Sequence, residues 1–594
     1  MLKEFTTRLF GPWVRWVDAS TLRADAVAGI LGALLVLPQG FAFASLAGLP
    51  PEYGLYTAIV PCVIAALFGS SWQVVSGPTN ANSLALFATL APLAAVGSPA
   101  YIQLALAVTV MVGVMQWLIG ALRLGSIANF ISPSALRGFM TGAALLIVLH
   151  ALIDLMGLAA PASHGTGVLL VHLADGLTHM NPAALLVGAA VLVIVLVLRR
   201  FAPRWPGMLI ALVAGTALAA LLNAASPWPR WGTVAVVGSI PPIWPRFRWP
   251  AVELRSLSDL LSIAFALTIV ALGQSISIAK AVAAKSGQAI DANREFRGQG
   301  LSNIVGGFFS SYVSCGSLNR SMPNLEAGAR TPLAAVFSSI WLLALLAFTS
   351  SLLALIPLPA IAALLIVVAW GLADVAGWRR LLRHSRADFT IAAVTALATV
   401  TIRIEIAILL GTILSLVSYL HRTSRPHMRV MGFDTTSHER PFVVRPDVPA
   451  PLPECPQLKM IRMEGEVYFG AVPHVADHLR ELRSEPGHAR HLLVMAKSMN
   501  FIDLPAAELW RDELLARRAE GGDLYFHRPR PSVLELWDHV GYTAELGRDH
   551  IFATKRIAIG TIFDRLDRRI CARCSVRVFS ECAQLPPPTP TPAD

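Results

Sequence analysis

The sequence predicts an α-helical membrane protein with many spans, followed by a small α/β domain. First, 55% of the 594 residues are hydrophobic and only 14% are charged, whereas an average soluble domain has about 25% charged residues. A soluble chain of this size could not bury so much apolar surface. Second, beyond about residue 455, short apolar runs of strand type alternate with segments of helical periodicity. These features exclude a soluble enzyme and a disordered scaffold.

Apolar segments long enough to cross a bilayer recur as far as Leu420. Between Asp25 and Arg123 the only charged residue is Glu52, and that stretch can hold about four spans of roughly 20 residues each. We predict about fourteen spans, at residues 25–46, 53–69, 79–96, 102–122, 133–156, 181–198, 207–224, 258–284, 297–312, 318–328, 332–356, 359–377, 388–402 and 405–420.

The composition along the chain predicts five parts. Residues 1–22 form an N-terminal cytoplasmic amphipathic segment, and residues 23–422 form the membrane domain. Residues 423–454 are a proline-rich linker, 455–568 the α/β domain, and 569–594 a tail that contains cysteines and prolines.

The net charge of +11 does not call for a nucleic-acid partner, because Lys and Arg collect in the cytoplasmic loops of membrane proteins. With both termini in the cytoplasm and the protein in the cytoplasmic membrane, most basic loops lie inside. These loops are Arg199–Arg204, Lys285–Arg297, Arg330, Arg379–Arg386 and Arg422–Arg429. The loop 225–257 counts against this orientation, because it would lie outside and yet carries four arginines.

Two segments of the membrane domain resemble each other. Residues 68–83 (FGSSWQVVSGPTNANS) and 309–321 (FSSYVSCGSLNRS) share two serines, an aromatic residue and a glycine followed three residues later by asparagine. The two glycines, Gly77 and Gly316, lie 239 residues apart, and Gln39 and Gln274 lie 235 apart. A repeat of seven spans would be inverted in the membrane, although chance similarity between apolar segments is the alternative.

Inverted repeats with interrupted helices are a transporter architecture. A helix that begins within the membrane exposes unpaired backbone N–H groups and a partial positive charge, and an anion satisfies both. Spans that begin near residues 79 and 318 would direct two such helix ends at one point.

The polar residues near these two starts are the candidate anion-binding residues, and each has an alternative role. Arg320 would supply positive potential or direct hydrogen bonds, or instead snorkel to the membrane surface or pair structurally with Glu326. Gln39 and Gln274 would donate to an oxyanion, with Phe43 walling the pocket, or bond neighbouring helices. Three further residues would donate to the anion or cap the helices: Asn80, Ser317 and Asn319.

The six cysteines are too few for a disulfide framework. Cys571, Cys574 and Cys582 suggest a metal site, but a structural zinc site needs four ligands. A fourth ligand would have to come from Cys455 or another subunit, so we expect free thiols, no metal and no cofactor.

Three longer segments carry a family resemblance. They are LPQGFAFASLAGLPPEYGLYTAIVPCVIAALFGSS (37–71), AKAVAAKSGQAIDANREFRGQGLSNIVGGFFSSY (279–312) and GSLNRSMPNLEAGARTP (316–332). The chain resembles the SulP anion permeases over nearly its whole length, and its C-terminal part resembles a STAS domain.

The resemblance implies fourteen spans in two inverted seven-span repeats, a core domain that moves against a gate domain as an elevator, and a homodimer. It places an anion site between the third and tenth spans. The implied pocket positions are Gln39, Phe43, Asn80, Ala81, Ser317, Leu318, Asn319 and Arg320, with Ala81 and Leu318 offering backbone N–H groups.

The sequence departs from the family pattern at two places. Many proton-coupled members have a carboxylate where this chain has Gln274, and Ile278 one turn later argues against the sodium site of bicarbonate members. In the STAS domain Asp503 is followed by Leu504 and Pro505, so a phosphorylation switch at that position is absent.

We therefore predict a secondary transporter of a small anion, with sulfate as the first choice and no enzymatic activity. Bicarbonate, chloride and dicarboxylates are alternatives that the sequence does not separate. A membrane sensor that signals through the STAS domain, and a channel, are further alternatives.

Overall fold

The structure is a computed structural model, and it describes residues 6–7, 10–126, 132–159, 166–202, 205, 207–224, 233–238, 244–250, 257–402, 404–433, 442–444 and 453–586. The chain forms two compact units, Met1–Ser415 and Leu416–Asp594. Some residues of three predicted regions lie outside the described residues. These regions are the N-terminal segment, the loop 225–257, including its Arg230 and Arg255, and the end of the tail.

The first half of the membrane unit begins with a short 3-10 helix, Pro12–Trp16, followed by α-helices. These are α1 (Ala19–Leu46), α2 (Pro51–Phe68), α3 (Asn80–Leu90), α4 (Pro99–Ala121), α5 (Pro133–Met156), α6 (Thr166–Gly176), α7 (Pro182–Phe201) and α8 (Gly207–Ala224). Each of the first seven predicted spans overlaps one of these helices, and the short α6 was not predicted.

The second half repeats this order of long and short helices. Its helices are α9 (Leu257–Ser286), α10 (Ala292–Phe308), α11 (Leu318–Glu326), α12 (Leu333–Leu353), α13 (Leu358–Leu372), α14 (Val375–His384), α15 (Arg386–Thr401) and α16 (Ile404–Thr423). The predicted span 359–377 is too long at its end, because Asp374 caps a separate helix, α14, and also pairs with Arg137 at 3.0 Å.

Eight helices within the described residues are long and apolar enough to cross a bilayer. They are α1, α2, α4, α5, α7, α8, α9 and the α13–α14 segment. The interrupted helices α3 and α11 are shorter, because extended chain occupies the residues before them.

The two repeats interlock reciprocally. Helix α12 packs on α1 and α2, and its counterpart α4 packs on α9 and α10. Likewise α5 packs on α15, while its counterpart α13 packs on α7. Exchanged packing of this kind is what two inverted copies produce when each completes the other.

The interruptions predicted near residues 79 and 318 are present, and they meet. Two short strands, β1 (Ser76–Gly77) and β2 (Cys315–Gly316), pair antiparallel with Ser76 opposite Gly316 and Gly77 opposite Cys315. Helices α3 and α11 begin at Asn80 and Leu318, directly after these strands. The pairing therefore holds two helix N-termini next to each other inside the membrane unit.

The second unit is a six-stranded sheet with helices on both faces. Its strands are β3 (His427–Phe433), β4 (Phe442–Val444), β5 (Leu458–Glu464), β6 (His491–Ser498), β7 (Leu524–His527) and β8 (Ile551–Phe552), in the order β4-β3-β5-β6-β7-β8. Strands β5 to β8 are parallel, and β3 is antiparallel to both of its neighbours. The predicted α/β domain is therefore confirmed.

Alternate side chains of the sheet enter two different cores. One core lies under α17 (Val472–Ser484), α18 (Leu504–Ala519), α19 (Pro531–His539) and α20 (Tyr542–Leu546), and the other under α21 (Lys555–Arg565) and α22 (Arg568–Arg573). On β5, Ile461 and Met463 face the first core, whereas Leu458 and Met460 face the second.

This unit extends beyond the predicted boundaries 455–568. Strands β3 and β4 lie inside the predicted linker 423–454, and Cys571, Phe579 and Cys582 of the predicted tail are buried in the second core. These two strands were missed because the proline run that follows them favoured a linker. Among the described residues, no three His, Cys, Asp or Glu side chains are arranged to hold a metal ion.

Candidate anion site

A cavity of about 860 Å³ lies at the meeting point of the interrupted helices. On one side it is lined by α1, α9 and the starts of α3 and α11. The opposite wall comes from α5, α7, α8 and α13, through mostly apolar side chains: Leu136, Met140, Val195, Leu198, Met208, Leu209, Val367, Val368 and Leu372. The polar and apolar walls therefore belong to different groups of helices.

Seven of the nine predicted site residues line this cavity. They are Gln39, Phe43, Asn80, Gln274, Ser317, Leu318 and Asn319. Helix α1 carries Gln39 and Phe43 one turn apart, so both face the same side. Gly54 lets α2 approach α1 beside them, because a Cβ there would lie 1.9 Å from the Gly40 carbonyl oxygen.

The start of α11 offers uncapped backbone donors to the cavity. Ser317 precedes the helix with extended backbone and makes no side-chain cap. The first N–H groups of a helix have no partner within it, and Leu318 and Asn319 are exposed there. This end of the cavity is therefore a cluster of hydrogen-bond donors at the positive end of a helix dipole.

The start of α3 is arranged differently. The Ala81 N–H, predicted to face the anion, instead donates to Asn80 Oδ1 at 2.9 Å, and Ala81 does not line the cavity. Asn80 is the first residue of α3, and its side-chain oxygen is occupied by the backbone N–H of the next residue. Asn80 itself lines the cavity.

Gln274 is held by a small network that joins α9 to both interruptions. Its Oε1 accepts hydrogen bonds from the Thr79 hydroxyl at 3.4 Å and the Cys315 thiol at 3.1 Å, and these two donors lie 3.3 Å apart. Among the described residues, the hydrogen-bond partner of the amide nitrogen is the Met140 sulfur, at 3.5 Å. With its oxygen occupied, Gln274 presents its N–H₂ group to the cavity.

Sequence reasoning missed Thr79 and Cys315. The signal available for Thr79 was its place at the very start of the predicted span 79–96, where a helix cap is expected. Cys315 carried no such signal, because a buried thiol is usually a packing residue. Gln39 lacks comparable restraint: its Oε1 has no hydrogen-bond partner in the described part of the chain, although the side chain is buried.

Arg320 is not among the residues that line the cavity, although the sequence placed it at the anion site. Its side chain is 1% exposed and lies beneath the strand pair, where Nη2 donates to the Pro78 carbonyl at 2.9 Å. Nε and Nη1 have no partner among the described residues. The suggested pair with Glu326 is also absent, because Glu326 pairs with Lys285 at 3.5 Å.

Gly77 makes room for this guanidinium. A Cβ at Gly77 would lie 2.6 Å from Arg320 Nη1, and the residue has φ +151°. The arginine is therefore a buried cation behind the two helix N-termini, and all three contributions to the potential have the same sign. Such a site favours an anion in the adjoining cavity.

Comparisons with known proteins agree with this architecture. Residues 22–395 match the sulfate permease family and residues 450–558 match the STAS domain. A probable sulfate transporter of Mycobacterium tuberculosis is 31% identical over 567 residues, covering 94% of this chain and 99% of the relative.

Two solved structures share the fold. The murine solute carrier 26 family member A9 anion transporter, in its inward-facing state, superposes with a TM-score of 0.84 at 21% identity, covering 95% of each chain. The transmembrane domain of the cyanobacterial bicarbonate transporter BicA gives 0.58 at 24% identity, over 66% of this chain and 98% of that one. The chain therefore belongs to the sulfate permease family, as a multi-pass membrane anion transporter with a C-terminal STAS domain and not an enzyme.

Proposed function

We propose that this protein is a secondary active transporter of sulfate in the cytoplasmic membrane, working by an elevator type of alternating access. The observation that carries the proposal is the meeting of two helix N-termini at one cavity, backed by the buried Arg320. The name of the mycobacterial relative supports sulfate as the anion.

We assign the anion to the polar wall of the cavity. The donors would be the backbone N–H groups of Leu318 and Asn319 and the amides of Gln274, Gln39 and Asn80. Ser317 and Phe43 complete the pocket, while Arg320 and Ala81 act from behind it. Hydrogen bonds from such groups to an ion are each worth about 1.5–3 kcal/mol, which is enough to offset part of the cost of removing an anion from water.

The chemistry of the two walls supports an elevator. Nearly all the donors come from α1, α3, α9 and α11, whereas the facing wall from α5, α7, α8 and α13 is mostly apolar. An anion bound by the first group makes few hydrogen bonds with the second. The first group can therefore carry the anion past the second without breaking its coordination.

The position of Arg199 and Glu326 at the cavity supports an inward-open arrangement as part of the proposal. Both residues line the cavity, and Arg199 begins a loop predicted to be cytoplasmic. Under that orientation both termini are cytoplasmic, and the site is open to the cytoplasm.

A homodimer is part of the proposal, to be checked by the mass of the purified particle in detergent.

Proton coupling at Gln274 is excluded by its chemistry, because an amide does not titrate in the physiological range. Any coupling to protons must use another group, or the protein must exchange one anion for another.

Uptake of labelled sulfate into proteoliposomes tests the proposal, with and without a pH gradient. We expect saturable accumulation. Stronger competition by bicarbonate, chloride or a dicarboxylate than by unlabelled sulfate would reassign the substrate. Binding without accumulation would indicate a sensor, and flux that does not saturate would indicate a channel.

A further inference from the structure

Basic side chains gather at one edge of the STAS sheet. Strands β5 to β8 are parallel, so their carboxyl ends lie at the same edge. Residues near or just after these ends are basic on every strand: Arg462, Lys497, Arg528, Arg530, Lys555 and Arg556. We call this the carboxyl edge.

These cations lie close enough to influence one another. Burial lowers the pKa of His527, at the end of β7, to about 4, and Lys555, Arg528 and Lys497 lower it further. Burial also lowers the pKa of Lys555, helped by Arg462 and Lys497. Carboxylates at this edge are mostly engaged: Glu464 pairs with Arg429 and Arg462, and Asp503 accepts from Phe469 N and Ala506 N.

The opposite, amino edge of the sheet is different. There Lys459 pairs with Glu454 and Glu485, His488 with Glu520, and Arg518 with Asp523. Lys459, His488 and Arg518 at the amino edge thus have carboxylate partners, whereas basic side chains outnumber acidic ones at the carboxyl edge.

Large apolar side chains are exposed among the basic ones. Phe469 is 72% exposed, Phe501 51%, Leu504 52% and Ile557 56%. The loops after β5 and β6 that carry the first three are joined by the Val467–Ile502 bridge and the Phe469–Asp503 hydrogen bond. Exposed apolar groups within a basic surface are typical of proteins that bind membrane interfaces.

The chain enters this unit at the same edge. The last helix, α16, ends at Thr423, whose hydroxyl lies 3.0 Å from that of Tyr468, just after β5. Four residues beyond Thr423, His427 pairs with Glu464 at the end of β5. Since α16 contains the last predicted span, only a few residues of chain separate that span from the carboxyl edge.

We propose that the carboxyl edge of the STAS domain docks on anionic phospholipid headgroups of the adjoining leaflet. Its basic residues contact the headgroups, and Phe469, Phe501, Leu504 and Ile557 enter the boundary between headgroups and acyl chains. Anionic leaflets attract basic side chains near their surface by about fivefold in binding per residue. The site is distinct from the anion cavity and does not depend on which anion is transported.

Hydrogen exchange of the full-length protein in nanodiscs tests this. Nanodiscs of phosphatidylcholine alone are compared with nanodiscs that also contain phosphatidylglycerol. We expect slower exchange of residues 466–470 and 500–504 in the anionic nanodiscs, and loss of that difference at high salt. Equal exchange in the two nanodiscs would overturn the proposal.

Charge-reversal variants test whether the carboxyl edge is the surface that contacts the lipid. The double variant Lys497→Glu/Lys555→Glu should lose the difference, since two residues account for about 25-fold in binding. The matched variant Arg490→Glu/Arg573→Glu, near the amino edge, should retain it. Unchanged exchange of the buried strand 491–498 shows that each variant is folded. If both variants lose the lipid effect, or if added inorganic triphosphate produces the protection without anionic lipid, the edge is not a lipid-docking surface.

Discussion

Two arginines of this protein are equally buried but differently compensated. Arg320 in the membrane unit and Arg517 in the STAS domain are each 1% exposed. Arg517 Nε donates to Glu513 at 2.6 Å, and its Nη1 donates to the carbonyls of Ala489 and Arg490. Within the part of the chain that the structure describes, the hydrogen-bond partner of Arg320 is the Pro78 carbonyl alone.

This difference in hydrogen-bond partners distinguishes Arg517, which has a structural role, from Arg320, which has a functional one. A buried ion pair with its hydrogen bonds satisfied needs nothing further, so Arg517 joins α18 to the segment before β6. A buried cation without a carboxylate is costly in a membrane. Arg320 is tolerable when an anion visits the neighbouring cavity, and four comparisons test this interpretation.

The largest expected change is in the stability of the STAS domain. Glu513→Ala leaves Arg517 as a buried cation with only carbonyl partners, and should destabilise the domain by about 3–5 kcal/mol. The thermal unfolding midpoint of the full-length protein in detergent measures this. Glu508→Ala, at an exposed position of the same helix, should change stability by less than about 0.5 kcal/mol. Equal stability of the two variants would mean that Arg517 does not need its carboxylate.

The second comparison is between the paired glycines of β1 and β2. Gly77→Ala places a methyl group against the Arg320 guanidinium at a positive φ, so we expect a loss of about 3 kcal/mol. At Gly316 the nearest atom to an added Cβ is the Val74 methyl group, at 3.1 Å, so Gly316→Ala should cost about 1 kcal/mol. Similar unfolding midpoints for the two variants would show that the space at Gly77 is not set by Arg320.

A smaller effect, on the affinity for sulfate, is expected when Gln274 is substituted. Gln274→Leu removes a donor to a charged ligand, and the sulfate concentration for half-maximal uptake should rise about tenfold. Ser262→Ala, at an exposed position near the start of the same helix, serves as the control. Unchanged affinity in Gln274→Leu would show that its amide does not contact the anion.

The smallest effect should come from the network that orients Gln274. Cys315→Ala removes one of two donors to its oxygen, and we expect an affinity loss of about threefold. Cys315→Ser keeps a donor and should behave like the parent protein. Cys62→Ala, at the other buried thiol of the membrane unit, which contacts Ala335 instead, should also leave affinity unchanged. Equal affinities in all three variants would remove Cys315 from the site.

The sequence predicted the architecture well, because its signals are local. Apolar length marks the membrane helices, and Gly77, Pro78 and Gly316 mark the interruptions. The convergence of Gln39, Gln274 and the two helix starts followed from the repeat and the family resemblance. These features depend on neighbours in the chain, or on an order of segments that the repeat preserves.

The sequence could not predict features that depend on how side chains and distant segments are oriented in three dimensions. The orientation of Arg320 is decided by the β1–β2 pairing and by the space at Gly77, which no residue near Arg320 reveals. The Thr79–Cys315–Gln274 network joins three distant segments. Strands β3 and β4 pair with each other, and β3 also pairs with β5, but they were missed because proline dominates the sequence around β4.

The most direct test of the central claim is sulfate uptake by proteoliposomes that contain Arg320→Ala, beside Arg320→Lys. Arg320→Ala should insert and unfold like the parent protein, because it removes a cation that lacks a carboxylate. We predict that it loses nearly all uptake and that Arg320→Lys, which keeps the charge, retains a measurable part. Normal uptake by a well-folded Arg320→Ala protein would contradict the account, because the paired helix ends would then bind the anion without the buried charge.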